Sequence, residues 1–372
     1  MSMCLCSIYD KYMKKLLPPL FVLLFLLPSS LKAQKAERLR IAFYNVENFF
    51  DLRHDTLKQD EEYLPGGIRG WNYRRYRDKA NGIARTLLAL GEGKLPMVVG
   101  LCEVENDSVL YMLTRYSLLQ RAGYDFVMTQ SPDVRGVDVG LLYQPRQFAL
   151  IDYQSHRIAP PHPTDRPTRD LLHVSGQLLN HDTLDVVVAH LPSRMGGTKQ
   201  TNPYRIRVAE RIKQLTDSLM VCRRQANIIV MGDFNCSPNE APITEILKAE
   251  APPANTSSDR PNKPINEEKL IHPKRLYHLL AHRNPTTENR GSYKYQGRWE
   301  LIDHIVVSGS MLLPSARLHT DRERCRVFNA SFLLEEDKQY GGTKPWRTYQ
   351  GMKYQGGMSD HLPVWVEIEM RY

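Results

Sequence analysis

The chain has 372 residues, 42% of them hydrophobic and 24% charged, with a mean hydropathy of −0.45. These values are those of a globular protein of one large or two average domains, and they exclude a chain built mainly of membrane spans or low-complexity sequence. A formal net charge of +9 suits a polyanionic partner without requiring one.

The N-terminus reads as a leader. From Met13 the sequence runs MKKLLPPLFVLLFLLPSSLKAQ, with two lysines, an apolar stretch from Leu16 to Leu27, and Ala33 as a small residue for cleavage. That is the layout of a signal peptide over residues 1–33, its true start possible at Met13, and it implies export to the periplasm or beyond. The apolar stretch is 12 residues long, short of the ~20 that span a bilayer, so no stable membrane span is expected. Without residues 1–33 the chain keeps 46 basic and 40 acidic residues, a net +6. Cys102, Cys222, Cys236 and Cys325 remain, and sequence leaves their pairing open.

Beyond the leader, short runs rich in β-branched residues recur at 39–46, 96–104, 138–143, 183–191, 226–234, 301–308 and 361–369. Bounded by Gly, Pro, Asn or Asp, they read as strands, several buried on both faces. Helices are expected at 74–90, with Gly91 as terminator, and at 204–221, opening after Pro203. Residues 250–275 are rich in Pro, Asn and charge and read as an inserted surface loop. Strands and helices mixed along the whole length indicate one α/β (α+β) domain over 34–372, expected as a monomer.

Polar residues collect at the strand ends. Asn45 and Glu47 close the first strand, Glu103 the second, His190 the fourth, and Asp233 and Asn235 the fifth; Asp303 opens the sixth, and Asp360 and His361 the last. A single acid there is an ordinary turn residue, but so many clusters of one character are not. Carboxylate and carboxamide oxygens suit a hard cation such as Mg²⁺, Mn²⁺ or Ca²⁺, which would neutralise phosphate charge. The histidines can donate to phosphate or move protons near neutral pH.

The ordered set YNVEN, CEVEN, HLPSR, MGDFNCSP, WELIDHIVVS and SDHLPVWVEI resembles the endonuclease/exonuclease/phosphatase superfamily, over about residues 38–370. The resemblance implies a four-layered α/β/β/α sandwich of two packed mixed sheets flanked by helices. It implies that Asn45, Glu47, Glu103 and Asp360 bind the metal, that Asp233 and Asn235 place the attacking water and the phosphate, and that Asp303 orients His361. His190 stands where deoxyribonuclease-like members carry histidine, and Asp138 lies near the acid that partners it there. Ser193, Arg194 and Arg135 are candidate phosphate contacts. His304, where relatives commonly have an aromatic residue, is expected to face away from the site, since neighbours on a strand point to opposite sides.

The expected activity is metal-dependent hydrolysis of phosphodiester bonds, in DNA or RNA, by an exported endonuclease. The alternatives are a phosphatase or phosphodiesterase for a small-molecule, inositol or lipid phosphate, and a non-catalytic binding protein on the same fold. A nuclease needs a basic, aromatic groove; Tyr73, Arg74, Arg75, Tyr76, Arg77, Tyr293, Lys294 and Tyr295 are its candidates. A serine hydrolase built on Ser359, Asp360 and His361 fails, because adjacent side chains rarely meet and no G-x-S-x-G elbow is present.

Overall fold

The computed structural model describes residues 36–253, 271–283 and 291–372. The expected leader and positions 254–270 of the expected loop lie outside the described residues. The strands in chain order are β1 (Ala36–Phe49), β2 (Val98–Val104), β3 (Asp125–Met128), β4 (Asp138–Tyr143), β5 (Phe148–His156), β6 (Leu171–Leu178), β7 (Thr183–His190), β8 (Asn227–Asp233) and β9 (Leu276–His278). They continue with the hairpin β10 (Tyr293–Tyr295) and β11 (Arg298–Glu300), then β12 (Asp303–Ser308), β13 (Leu318–His319) and β14 (Cys325–Val327). Two more hairpins, β15 (Leu334–Glu336) with β16 (Thr343–Pro345) and β17 (Tyr349–Gln350) with β18 (Lys353–Tyr354), precede β19 (Val364–Arg371).

Two mixed sheets carry the domain. The first runs β13-β19-β1-β2-β4-β3, with β14 also on β19; the second runs β5-β6-β7-β8-β12-β9. Strand alternation explains the layering. Leu39, Ile41 and Phe43 of β1, with Ile229 and Met231 of β8, enter the core between the sheets. Ala42, Tyr44 and Val46 turn outward to a second core, and Ile228 and Val230 to a third. Both faces are covered, which is why these strands read as nearly continuous apolar runs.

The helix Tyr73–Gly91 covers the first sheet through Tyr76, Ala80, Ile83, Leu87 and Leu90. Asn72 caps it, its side chain accepting from the Arg75 N–H at 3.2 Å. The helix Thr198–Cys222 covers the second sheet through Val208, Ala209, Ile212 and Leu215. It starts earlier than expected, with Pro203 inside it. Proline deprives only the carbonyl four residues back of a partner, and Lys199 there is exposed. Helix, sheet, sheet and helix give the four layers that the resemblance implied.

Of the strands in the two large sheets, β3, β5, β6, β9, β13 and β14 lie outside the expected runs. β5 is an edge strand, exposed over most of its length, so no core face stamps an alternation on it. Cys102, Cys222, Cys236 and Cys325 are all unpaired thiols. No helix among the described residues is long and apolar enough to cross a membrane.

Candidate active site

Strand register builds one side of the site. β7 and β8 are parallel with His190 opposite Asp233, and β8 and β12 are antiparallel with Asp233 opposite Asp303. Three chemically able side chains therefore form a row across one edge of the second sheet. His361, just before β19, reaches the row from the first sheet: its Nδ1 is 2.8 Å from Asp303 Oδ2 and its Nε2 3.8 Å from Asp233 Oδ2. Asn45, at the end of β1, donates from Nδ2 to Asp233 Oδ2 at 3.0 Å. All five residues are buried.

This burial tunes the row. Desolvation pushes the Asp233 carboxyl up to about 7, with the charges of Asp303 and Glu103 adding to it and His361 opposing. For His361 burial disfavours the imidazolium, yet the carboxylates of Asp303 and Asp233 outweigh it and hold the group well above the usual histidine range. His190 goes the other way. Burial and then the Arg169 guanidinium keep it well below that range. Arg169 Nη2 lies 2.9 Å from His190 Nε2, and Arg169 Nη1 donates to Asp133 Oδ2 at 2.9 Å. A guanidinium can only donate, so the imidazole facing it accepts and is neutral.

The other side of the site is a clamp between distant segments. Glu47 Oε2 accepts the Thr348 N–H at 2.6 Å, and Oε1 accepts the Tyr349 N–H at 3.4 Å. Arg347 donates from Nη2 to Asp360 Oδ2 at 2.9 Å, and its Nε lies 3.5 Å from Glu47 Oε1. Beneath them the buried Lys79, projecting from its helix, donates to Thr348 Oγ1 and to the Met358 carbonyl. Burial pushes Glu47 up to about 7, with Asp360 adding, and pulls Lys79 down to about 8.

Backbone strain concentrates here. Glu47 (φ 50°), Asn48 (φ 51°), Glu103 (φ 61°) and Asn235 (φ 49°) all lie in the left-handed region. The β1–β2 register shifts between Asn45 and Phe49, and the β2–β4 register between Cys102 and Val104. These bulges re-aim the side chains at the strand ends, at roughly 1–3 kcal/mol per strained residue. Glu103 turns inward, where Oε2 accepts the Asn48 N–H at 2.9 Å and Oε1 lies 3.4 Å from Asn45 Nδ2. The last turn needs its glycines: Gly356 has φ 76°, and a Cβ on Gly357 would meet the Trp346 carbonyl oxygen at 1.9 Å.

The donor set suits a hard divalent cation. The carboxylates of Glu103 and Asp233 meet at the Asn45 amide, burial disfavours the charge on Asp233, and Asp303 Oδ1 has no hydrogen-bond partner among the described residues. Two groups place their ligand atoms within 4.8 Å of one another: Asp233, Asp303 and His361, and Cys102, His190 and Asp233. Glu47, expected as a ligand, accepts backbone N–H groups of the strap at Thr348 and Tyr349 through both carboxylate oxygens. The expected pairing of Asp138 with His190 is not formed. Asp138 accepts from Thr129 Oγ1 and the Ser131 N–H, while Arg169 and Asp133 stand behind His190.

The remaining candidates divide. Asn235 donates its N–H to Asp233 Oδ1 at 2.9 Å and its side-chain amide to the Leu191 carbonyl at 3.0 Å. Arg135 donates to Asn48 Oδ1, Arg194 is paired with Glu300, and Ser193 is half-buried nearby. Tyr293 lies against His361, ring centroids 4.9 Å apart. His304 faces away from the site as expected, toward the Cys236 carbonyl and His278. Sequence reading missed Lys79, Arg169, Asp133 and Arg347. A lysine on the apolar stripe of an amphipathic helix was the one visible signal among them.

No curated protein sequence matches the chain. Among solved structures, an endonuclease/exonuclease/phosphatase family protein from Bacteroides thetaiotaomicron is 15% identical with a TM-score of 0.53, covering 91% of this chain and 97% of its own. The mannosyl-6-phosphatase Bt3783 from Bacteroides thetaiotaomicron VPI-5482 is 16% identical with a TM-score of 0.51, covering 89% and 99%. D. rerio TDP2, solved with a single strand DNA product, is 15% identical with a TM-score of 0.50, covering 89% and 99%. At these identities the likeness is one of fold. A family model described as "Endonuclease/Exonuclease/phosphatase family" matches residues 40–370, nearly all of the described domain. The chain belongs to the endonuclease/exonuclease/phosphatase family, whose members are hydrolases of phosphate esters.

Proposed function

We propose that the protein is an exported, divalent-metal-dependent phosphoesterase that cleaves phosphate esters by in-line attack of water. The observation that carries this reading is the row His190–Asp233–Asp303 with His361 set against it. Glu103, Asp360 and Asn45 would hold the cation, which when bound neutralises charge at the phosphate. Asp233, with its carboxyl at about 7, accepts a proton from the attacking water near neutral pH. His361 keeps Nδ1–H on Asp303 and presents a charged Nε2–H to a phosphate oxygen. His190, neutral, orients through Arg169 rather than giving a proton.

Nucleic acid is the substrate that the exposed Tyr73, Arg74, Arg77 and Tyr295 favour. TDP2, of the same fold, was solved with a DNA product. A second reading, a small or terminal phosphate ester, has its own support. Tyr76 is in the core, Arg75 holds the carbonyls of Arg69 and Gly70, and Lys294 is paired with Asp337, so much of the expected groove is engaged inside the fold. A mannosyl-6-phosphatase also shares the fold.

The test offers the protein plasmid DNA, RNA, mannose 6-phosphate, inositol phosphates and sphingomyelin, with Mg²⁺ or EDTA. Hydrolysis that persists in EDTA, or in both Asp233→Ala and His361→Ala, overturns the mechanism. Activity confined to small esters or lipid selects the second reading. Cleavage of the leader on expression, read by N-terminal sequencing of the exported protein, tests export.

A further inference from the structure

Arg347 is the one cation of the clamp that reaches the surface. Its side chain is 36% exposed, whereas Lys79 beneath it is buried. Only one of its terminal nitrogens is engaged: Nη2 is held by Asp360 Oδ2, and Nη1 makes no hydrogen bond among the described residues. Tyr293, whose ring lies against His361, is within electrostatic reach of Arg347, Asp360 and Asp233, so the guanidinium stands on the side of the site where the row would act on phosphorus.

The placement is fixed from several directions. The backbone at Thr348 and Tyr349 is held by Glu47, and the Thr348 hydroxyl by Lys79. Gly357 donates its N–H to the Arg347 carbonyl at 3.2 Å, with no room there for a side chain. So rigid a seat for a half-buried arginine is more than its pairing with Asp360 and Glu47 requires. Arginine also matches phosphate geometry better than lysine does.

The site is otherwise crowded with carboxylates: Glu47, Glu103, Asp233, Asp303 and Asp360 all converge here. A phosphodiester brings about one negative charge, and a phosphomonoester at pH 7 about two. We propose that Arg347 is a substrate-phosphate contact that supplies the cation for the extra charge of a terminal phosphate and so favours monoesters over internal diesters. This rests on the phosphoesterase reading and decides between its two substrates.

The experiment compares the wild type with Arg347→Gln and Arg347→Lys on p-nitrophenyl phosphate and bis(p-nitrophenyl) phosphate. Binding of inorganic phosphate is followed by calorimetry and of Mn²⁺ by electron paramagnetic resonance. The expected result for Arg347→Gln is a loss of about tenfold or more in kcat/KM on the monoester, carried mainly by KM, and about threefold or less on the diester. Inorganic phosphate should bind about tenfold more weakly, Mn²⁺ affinity should hold, and Arg347→Lys should fall between. Equal losses on both esters, unchanged phosphate binding, or a collapse of Mn²⁺ binding would overturn the proposal, the last by reducing Arg347 to a support for Asp360. A wild type that hydrolyses neither ester, while Arg347→Gln still weakens phosphate binding, sinks the phosphoesterase reading and leaves the Arg347 contact standing.

Discussion

The two sides of the site are built by different means. The row His190, Asp233 and Asp303 is set by strand register, each residue facing the next across a hydrogen-bonded pair of strands. The clamp of Glu47, Lys79, Arg347 and Asp360 is set by side chains that cross the fold: Glu47 and Thr348 are 301 positions apart, and Lys79 and Thr348 are 269 apart. The row is rigid because the sheet is rigid. Within the clamp the buried charges of Glu47 and Lys79 depend on each other, so removing one should cost stability, while the row answers with lost chemistry.

The largest expected effect falls on the row. Asp233→Asn leaves the shape but removes the proton acceptor, and kcat should fall by about 10³-fold with KM changed far less. Steady-state rates at saturating metal would show it, and a residual rate within tenfold of wild type would break the comparison. On the clamp, Lys79→Met removes a buried cation from beside Glu47 and Asp360. The uncompensated carboxylates should cost about 3 kcal/mol or more in urea unfolding. Adding Glu47→Gln should restore part of that loss; if the two changes merely add, Lys79 and Glu47 are not partners.

The same division explains what sequence could show. Asp233, Asp303 and His190 end apolar runs, so hydrophobic patterning placed them at strand ends, and the parallel and antiparallel pairings then aligned them. The two-sheet sandwich was legible for the same reason, since Ile41–Val46 carries apolar residues toward both cores through Phe43 and Tyr44, and Ile228–Met231 is apolar on both faces. Edge strand β5 carried no such stamp. Lys79 showed only as a lysine on the apolar stripe of its helix, and Arg347 was illegible because nothing local marks an arginine as held beside an acid on another segment. The strap contacts of Glu47 were illegible on similar grounds. Its position after Asn45 suggested a ligand, and a bulge with φ 50° turns it to the strap.

Proton linkage offers a third way to sharpen the contrast. In the metal-free protein Glu47 and Asp233 titrate near about 7, above their ordinary values of 4.5 and 3.8, and His361 well above its 6.5. Each is raised in the folded state, so the folded protein binds more protons than the unfolded chain over that interval. Stability from these groups is therefore complete at acid pH and is lost as pH climbs through their folded values. In EDTA the melting temperature should fall between pH 6.5 and 8 by about 2 °C or more, above the range in which the buried His190, His278 and His304, held neutral in the fold, pull the other way. Saturating Mg²⁺ should flatten that slope, because a cation favours the charged carboxylates. A metal-free melting temperature that rises over this range would contradict the buried-carboxylate account.

The smallest expected effect concerns two aspartates near His190. Asp138 accepts three hydrogen bonds from Thr129 and Ser131 and none from His190. Asp133 instead pairs with Arg169 at 2.9 Å, the two side chains 5% and 7% exposed, and Arg169 lies against both imidazole nitrogens. Asp133→Asn keeps a hydrogen-bond acceptor but removes the charge that balances Arg169. The guanidinium is then free to shift against the ring, and kcat should fall about tenfold, within the 10–100-fold typical when an orienting partner is lost. Asp138→Asn exchanges a carboxylate for an amide that still accepts from Ser131, and kcat should change by about twofold or less. A larger loss at Asp138 than at Asp133 would restore a direct Asp138–His190 pair and make His190 an acid-backed proton carrier. The order of these two small effects therefore decides whether His190 works as a neutral, arginine-held group or as a second version of the His361–Asp303 pair.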